Sequence, residues 1–228
     1  MLVIHSNRTV LPAGTKNAFV TIHEGIITAI SESMPPATGY KFIDAGDNLL
    51  MPGVIDPHVH INEPGRTDWE GFDTATRAAI AGGVTTVIDM PLNSSPVTTT
   101  VEAFEEKLAA AKGKANCNIG FWGGVVPGNE KKIERLIHQG VLGFKAFLTH
   151  SGIDEFPNVH EEDLRKVMPV IAKHGKPLLV HCELTDNMQR SSGQARSYLN
   201  YLDSRPAKWE DDAIALMIRL CEEFNCRV

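Results

Sequence analysis

The sequence predicts an α/β fold: a partial TIM-like (β/α) barrel of about five of the eight units, preceded by a small, incomplete N-terminal β-sandwich domain. Two observations predict it. From residue 49 onward, short apolar runs alternate strictly with amphipathic helical patterns, which requires parallel strands joined by right-handed crossovers. Residues 1–48 instead show strand-like runs separated by turn residues. We therefore predict two domains, residues 1–48 and residues 49–228, the second truncated before strand six.

Composition favours a soluble globular protein with a small-molecule partner. The 228 residues, 43% hydrophobic and 22% charged, allow one sizeable core and a small second domain. A formal net charge of −6, without clusters of Lys or Arg, argues against a nucleic-acid or membrane partner. The four cysteines form no Cys-x-x-Cys pair, so neither a zinc knuckle nor a disulfide framework is indicated. The start of the chain lacks a secretory pattern, and we expect a cytoplasmic protein.

The N-terminal domain is predicted from short apolar runs between turn signals. Residues 18–22 and 25–30 have the composition of strands, and turns are indicated at Pro12-Ala13-Gly14 and His23-Glu24-Gly25. These strands are too few to close a sandwich by themselves. It therefore stays open whether the missing strands of this domain come from elsewhere.

Five strand–helix units are predicted from residue 49 onward. The first helix begins at a capping-box pattern, Thr67-Asp68-Trp69-Glu70, and stops at Gly82-Gly83. Pro169 is expected to kink the fourth helix. The strands are placed at residues 49–55, 84–90, 118–124, 141–148 and 177–182, the second to fourth helices at 101–112, 131–138 and 161–174, and the last helix carries Trp209, Ala213, Leu216, Met217, Leu220 and Phe224.

Two features bear on how the sheet closes. No phosphate-binding glycine loop follows the first strand, which disfavours a nucleotide-binding doubly wound sheet. A sixth strand is expected to begin at Cys226-Arg227-Val228, where the sequence stops, and this favours a barrel that is cut off part-way. Between the fifth strand and the last helix lie roughly two dozen polar residues, a loop length that usually has a function.

His58 and His60 form a candidate metal-binding pair. Side chains two residues apart on a strand point to the same face, so one metal ion could bind both imidazoles. The pair follows an apolar strand, and the carboxyl ends of strands are where α/β barrels place their chemistry. On spacing alone, a metal site and a structural role are equally favoured.

Lys145 and His181 also lie at the predicted carboxyl ends of strands, surrounded by apolar residues. Lys145 could extend its ammonium group to solvent, but its neighbours Phe144, Phe147 and Leu148 offer little polar company, and burying an unpaired ammonium is costly. A lysine in such surroundings has a lowered pKa, and its neutral amine can react. Reaction with carbon dioxide would convert the amine into an anionic oxygen ligand.

Three runs of the sequence resemble the allantoinase family. Allantoinases are cyclic amidohydrolases of the metal-dependent amidohydrolase superfamily and are related to dihydroorotase and dihydropyrimidinase. The runs are Pro52–Phe72, Gly82–Thr86 and Met90–Ser94, and the resemblance extends over essentially the whole chain. It implies the hydrolysis of allantoin to allantoate in purine catabolism, with attack by a metal-bridging hydroxide on the hydantoin ring. It also implies a homotetramer and, if a targeting signal lies in a missing C-terminal part, location in the peroxisome or another organelle.

The resemblance assigns the metal ligands residue by residue. Two divalent ions, commonly zinc, would be bound at the barrel mouth: His58 and His60 would hold the more buried ion, carboxylated Lys145 would bridge both, and His181 would hold the second. The family takes a further histidine ligand from the sixth strand and a proton-transferring aspartate ligand from the eighth, and the sequence contains neither. We therefore expect an incomplete second site, no proton-transferring catalytic residue within the chain, and an inactive fragment.

Asn62 and Asn93 are candidates for substrate contact. Dihydroorotases usually carry Arg at the position of Asn62 to bind a substrate carboxylate, whereas allantoin has no carboxylate and suits a neutral amide. Asn93, in the loop after the second strand, could equally be a plain turn residue. Asp56 is expected to brace the strand end or a histidine rather than to bind metal.

Structural roles are preferred for three other polar residues near the site. Glu63 and Arg66 are read as a loop salt bridge, and Cys182 should face away from His181 on the strand. Two alternatives stay open for the whole protein: another cyclic amidohydrolase, such as a hydantoinase, dihydropyrimidinase or dihydroorotase, or a non-catalytic dihydropyrimidinase-like assembly protein.

Overall fold

The computed structural model describes residues 1–36, 38–185 and 196–228. The chain divides into two compact units, Met1–Gly53 and Val54–Val228. Within the described ranges, no helix combines the length and the hydropathy that crossing a lipid bilayer requires. Part of the long polar loop predicted after the fifth strand, residues 186–195, lies outside the described residues.

The first unit is one five-stranded mixed sheet. Its central strand β1 pairs antiparallel with β2 and parallel with β4 and β5, and β3 lies at the edge beyond β2. The strands are β1 (Leu2–Leu11), β2 (Gly14–His23), β3 (Ile26–Ser31), β4 (Lys41–Asp44) and β5 (Leu49–Leu50). The predicted strands over residues 18–22 and 25–30 are thus confirmed as parts of β2 and β3.

Local chemistry explains two features of this sheet. Glu24 and Gly25 connect β2 to β3 with positive φ angles of 51° and 79°, the backbone that a tight two-residue hairpin turn needs. A bulge interrupts the β1–β2 ladder between Ser6 and Thr9. Within this stretch the Ser6 hydroxyl accepts a hydrogen bond from the Arg8 amide at 2.9 Å.

The predicted strand over residues 49–55 is wrong as one element. Leu49 and Leu50 pair with Arg8 and Thr9 and therefore belong to the sheet of the first unit. The first strand of the second unit begins only at Val54, because Pro52 and Gly53 interrupt the apolar run. The described residues of the first unit form a single layer with an apolar groove of about 380 Å³, so the sandwich stays a prediction.

The second unit alternates strands and helices. Its elements are β6 (Val54–Val59), α1 (Phe72–Ala81), β7 (Val84–Asp89), α2 (Val101–Ala111), β8 (Asn118–Phe121), β9 (Gly123–Gly124), α3 (Glu130–Gln139), β10 (Phe144–Phe147), α4 (Glu161–Lys173), β11 (Leu178–His181), α5 (Tyr198–Asp203) and α6 (Lys208–Phe224). The predicted helices after the second, third and fourth strands are confirmed to within one residue at each end. The short helix α5 was not predicted.

All strands of the second unit are parallel and lie side by side in sequence order, β6-β7-β8 and β9-β10-β11. Residues 121–124 join the two groups: the Leu142 amide donates to the Phe121 carbonyl and the Gly123 amide to the Gly143 carbonyl, both at 2.9 Å. The sequential order differs from that of a doubly wound sheet, in which the order reverses. The α/β class is therefore confirmed.

The first helix starts later than the sequence predicts. Residues 67–69 form a turn before the helix, and α1 begins at Phe72. The buried Phe72 amide, at the helix N-terminus where no intrahelical acceptor is available, donates to the Glu63 carboxylate at 3.0 Å. A residue nine positions upstream thus supplies the cap, and Trp69, predicted on the helix face, is mostly exposed in the preceding loop.

The main core lies between the sheet and its helices. Phe121 packs edge-to-face against Phe72 of α1 and Phe104 of α2. Helix α6 contributes the apolar face that the sequence predicts, with Trp209, Ala213, Leu216, Met217 and Leu220 buried. Pro169 lies inside α4 without ending it. Beyond α6, the Arg227 carbonyl accepts from the Leu178 amide at 2.9 Å, beside the start of β11.

Candidate metal centre

His58 and His60 lie together at the carboxyl end of β6. Val59 between them packs against the core on the helix side of the sheet, so alternation places both imidazoles on the opposite face. Their ring centroids are 5.4 Å apart. The structure therefore brings the predicted pair together on one face.

The surroundings of His60 favour its neutral imidazole. Burial lowers the pKa of His60, and the positive charge of His58 and, more weakly, that of Lys145 act in the same direction. A hydrogen bond with the Leu92 carbonyl opposes them. Neutral imidazole is the form that binds metal ions, so His60 is poised as a ligand.

Asn93 holds the ring of His60 from the loop after β7. Its side-chain nitrogen lies 3.3 Å from His60 Nδ1, and its own φ is 74°, a left-handed conformation that Asn tolerates better than most residues. The amide NH2 of Asn93 can only donate, so Nδ1 of His60 accepts in this contact. Asn93 thus contacts a predicted ligand, and substrate contact by Asn93 stays a prediction.

Lys145 is buried at the centre of β10 with only 6% of its surface exposed. Its ammonium lies 4.8 Å from the centroid of the Phe147 ring, and within the described parts of the chain no carboxylate pairs with it. Burial lowers the pKa of Lys145, whereas the nearby Cys182 thiol acts weakly in the opposite direction. The lowered pKa agrees with the direction expected from the sequence, and reaction of Lys145 with carbon dioxide stays a prediction.

His181 ends β11, directly opposite Phe147 of β10. The two rings stack at 5.2 Å with 19° between their planes, so His181 shares the face that Lys145 and Phe147 occupy. His181 Nε2 lies 3.3 Å from a carboxylate oxygen of Glu183. Cys182 packs against the helix-side core, which confirms that it faces away from His181.

Asn62 and Asp56 lie in the chain on either side of the histidine pair. Asn62 is only 8% exposed, and its buried side-chain oxygen Oδ1 has no hydrogen-bond partner among the described residues. An unpaired buried acceptor costs about 1–3 kcal/mol, so Asn62 keeps a binding capacity that the protein does not use. The Asp56 carboxylate accepts from the His58 amide at 3.1 Å, a brace at the strand end like the one predicted.

The loops after β6 and β7 are fastened to each other. Arg66 donates to the Asn93 carbonyl at 2.9 Å and pairs with Glu155 at 2.6 Å, and the Ser95 amide donates to the Pro64 carbonyl at 2.9 Å. Glu63 caps α1 and pairs with Lys114. The predicted loop salt bridge between Glu63 and Arg66 is therefore wrong, because Glu63 pairs with Lys114 and Arg66 with Glu155.

The sequence reasoning missed a buried ion pair beside the site. Asp89, the last residue of β7, lies 2.6 Å from Lys107 of α2, and both side chains are almost fully buried. A signal was present: Lys107 lies three residues after Phe104 on the apolar face of α2, where a lysine is unexpected.

The residues present suit a divalent ion, although the described residues do not form a complete site. Among them, no three His, Cys, Asp or Glu side chains come together as a metal site. Two adjacent imidazoles, one with a lowered pKa, lie near a buried lysine for which the described part of the chain offers no acidic partner. Neutral imidazoles and a carboxylated lysine are donors that zinc accepts. The donor chemistry therefore fits a metal, and carboxylation of Lys145 would supply the oxygen ligand.

Sequence comparison decides the family. The profile of the amidohydrolase family matches residues 49–221. The chain belongs to the amidohydrolase family. Its match covers every strand of the second unit from β6 to β11 and ends within α6.

The relatives of this amidohydrolase include curated allantoinases. It is 46% identical to the allantoinase of Streptomyces avermitilis over 230 residues, which covers 100% of this chain and 52% of that protein. The allantoinase of Arabidopsis thaliana is 42% identical, with 99% of this chain and 46% of that protein covered. The chain therefore spans about half the length of these curated relatives.

Solved structures show the same fold. The L-hydantoinase (dihydropyrimidinase) from Arthrobacter aurescens superposes with a TM-score of 0.91 at 30% sequence identity, covering 99% of this chain and 51% of that chain. A D-hydantoinase with a TM-score of 0.79 is only 23% identical and supports the fold alone.

Proposed function

We propose that this chain supplies half of the active site of a metal-dependent cyclic amidohydrolase. The enzyme would open the hydantoin ring of allantoin to give allantoate, a step of purine catabolism. The observation that carries the proposal is the 46% identity with a curated allantoinase across the whole chain. The placement of His58, His60, Lys145 and His181 on one face of the parallel strands supports it.

The proposed ligands have separate roles. His58 and His60 would hold one divalent ion, His181 would hold a second, and carboxylated Lys145 would supply an oxygen ligand. When bound, such ions, commonly zinc, polarise the ring carbonyl and lower the pKa of a water molecule, which makes a nucleophile available near neutral pH. Asp56 and Asn93 keep the histidine pair in place through the His58 amide and the His60 ring.

Asn62 is proposed to distinguish the substrate. Its neutral amide can donate to and accept from the ureide groups of allantoin, and its unpaired Oδ1 leaves an acceptor available. An arginine at this position, as dihydroorotases usually have, would favour a substrate carboxylate. Asn93 is proposed as a second contact.

The architecture and assembly are part of the same proposal. The parallel strands in sequence order form about five of the eight units of a TIM-like barrel, and the first unit is part of a sandwich. The whole protein is proposed to be a cytoplasmic homotetramer.

The first experiment assays the 228 residues alone. Supplied with zinc and bicarbonate, they are expected to show no hydrolysis of allantoin, because the resemblance assigns two further ligands, including the proton-transferring aspartate, to strands that they do not contain. Measurable turnover by the purified chain would overturn the proposed half-site.

The second experiment tests the substrate in a chimera. This chain matches 52% of the Streptomyces avermitilis allantoinase, and in the chimera it is fused to the remaining C-terminal part of that protein. We expect hydrolysis of allantoin in preference to hydantoin, dihydrouracil and dihydroorotate, and loss of activity in Lys145→Ala. The similarity to an L-hydantoinase makes hydantoin the second candidate. A preference for dihydroorotate would contradict the role proposed for Asn62.

A further inference from the structure

The backbone around His60 is held on both sides by the end of β7. The β6–β7 ladder is irregular between Asp56 and Val59, so regular strand pairing does not fix the last residues of β6. Instead, the Met90 amide donates to the Val59 carbonyl at 2.8 Å, and the Ile61 amide donates to Asp89 Oδ1 at 2.7 Å. The residues before and after His60 are thus tied to two consecutive residues, Asp89 at the end of β7 and Met90 directly after it.

Lys107 fixes those consecutive residues from α2. Its ammonium donates to Asp89 Oδ2 at 2.6 Å and to the Met90 carbonyl at 3.1 Å. Asp89 and Lys107 are 0% and 1% exposed. The Asp89 carboxylate therefore connects two segments of the second unit. One oxygen accepts a hydrogen bond from the amide of Ile61, and the other accepts one from Lys107 of α2.

Stability alone is a weak explanation for this pair. Removing two charges from water costs several kcal/mol per ion, and well-packed apolar residues in place of a buried ion pair are often neutral or stabilising. An apolar pair could not, however, accept from the Ile61 amide, for which the Asp89 side chain is the acceptor found among the described residues. The particular contribution of Asp89 and Lys107 is geometric, because they define where the backbone on either side of His60 lies.

We propose that Asp89 and Lys107 are positioning residues for His60 and that, through the Ile61 amide, they set the affinity of the histidine pair for a divalent ion. The inference rests on the proposed function, in which His60 is a metal ligand. It assigns no contact between Asp89 or Lys107 and the ion. The hydrogen bond at Ile61 is the feature that a test has to remove.

A matched pair of double variants isolates that hydrogen bond. Asp89→Asn with Lys107→Met and Asp89→Leu with Lys107→Met both remove the buried charges, and Asn and Leu are of similar size. Only Asn keeps an oxygen that can accept from the Ile61 amide. If the Leu variant does not fold, Asp89→Ser with Lys107→Met replaces it, because the serine hydroxyl is too short to reach Ile61.

Two readouts are measured on the 228-residue chain: hydrogen exchange of the Ile61 amide relative to global unfolding, and zinc affinity by competition with a chelator. With Leu or Ser at position 89, we expect Ile61 to lose protection and zinc binding to weaken about 10-fold, the low end of the effect for direct partners of a metal ligand, because Asp89 acts through the neighbouring Ile61 amide. The Asn variant should stay close to the wild type in both.

Equal zinc affinity of the Asn and Leu variants, with the wild type binding zinc, would overturn the positioning role and leave the proposed function intact. Absence of zinc binding by the wild type would overturn the proposed metal centre and this inference with it. A change in the free energy of unfolding without a change in zinc affinity would show that the ion pair is only structural, and this also overturns the proposal.

Discussion

Asp89 shows at the residue scale how the fold changes the chemistry of a side chain. Burial raises the pKa of its carboxyl to about 6, while the charge of Lys107 and the amides of Ile61 and Met90 act in the opposite direction. The folded protein therefore keeps the proton up to a higher pH than the unfolded chain, whose carboxyl titrates near 3.8.

The sign of the resulting pH dependence follows from proton binding. Between pH 3.8 and about 6 the folded state binds more protons than the unfolded state, so the contribution of Asp89 to stability is largest below this range and falls as the pH rises through it. Relative to the variant with Asp89→Asn and Lys107→Met, the wild type should lose up to ~3 kcal/mol of unfolding free energy across this range. Urea unfolding at several pH values measures it, and a difference that grows in the opposite direction would contradict the account.

Some residues of the site are predictable from local sequence and others are not. His58 and His60 are found from spacing because alternation along a strand is a local property. The contact between Asn93 and His60 joins residues 33 positions apart, and the ion pair of Asp89 with Lys107 joins residues 18 apart. Such contacts depend on how strands and helices pack, which local patterns do not encode.

At the scale of elements, the loops after β6 and β7 position the end of the histidine strand. Gly65 has a φ of 89°, and a Cβ atom on it would lie 2.4 Å from the Ser95 carbonyl oxygen. This close approach lets the two loops meet, with Arg66 and the Ser95 amide completing the contact. The lack of a side chain at Gly65 is thus what allows the two loops to come this close.

Gly65→Ala tests the contact between the two loops. Gly128 is a matched control, because it has a φ of 80° and no atom within 4 Å of its hypothetical Cβ. Gly128→Ala should cost about 1 kcal/mol from its backbone conformation alone. Gly65→Ala should cost about 1–3 kcal/mol more, because the backbone of Ser95 must move. Denaturant unfolding measures the free energy of unfolding of both variants. Equal losses would show that the Gly65 loop and the Ser95 loop are not in close contact.

Elements were predicted well where a single helix or strand carries its own signal. The apolar face of α6 identifies its buried residues, and Thr100 before α2 is a regular cap whose side chain accepts from the Ala103 amide. The errors occur where a distant partner decides. The start of α1 lies at Phe72, where the distant Glu63 accepts from the helix amide. Leu49 and Leu50 pair with β1 and therefore belong to the first unit.

At the scale of the molecule, the parallel strands leave apolar surface open. Val54 and Ile55 of β6 are 46% and 60% exposed, and within the described residues β6 pairs with β7 alone. Exposed apolar strands with unpaired backbone groups promote association. The alternation of strands and helices predicts their sequential order, but not how many further strands cover this edge.

The 228-residue chain is therefore expected to self-associate as its concentration rises. Ile55→Lys should reduce the association, because a charge at an edge strand opposes pairing. Thr85→Lys is the control, since it adds the same charge at an exposed position of β7 without removing apolar surface. Sedimentation velocity measures the mass distribution. Equal association of the two variants would show that β6 is not the associating surface.

The central claim is that His58 and His60, with Lys145, bind a divalent ion. Its most direct test is the zinc content of the purified chain after equilibration with zinc and bicarbonate, compared with a variant carrying His58→Ala and His60→Ala. We expect zinc bound to the wild type and lost from the variant, while unfolding curves remain similar because the pair faces away from the helix-side core. Absence of zinc from the wild type, or equal zinc in both proteins, would contradict the account.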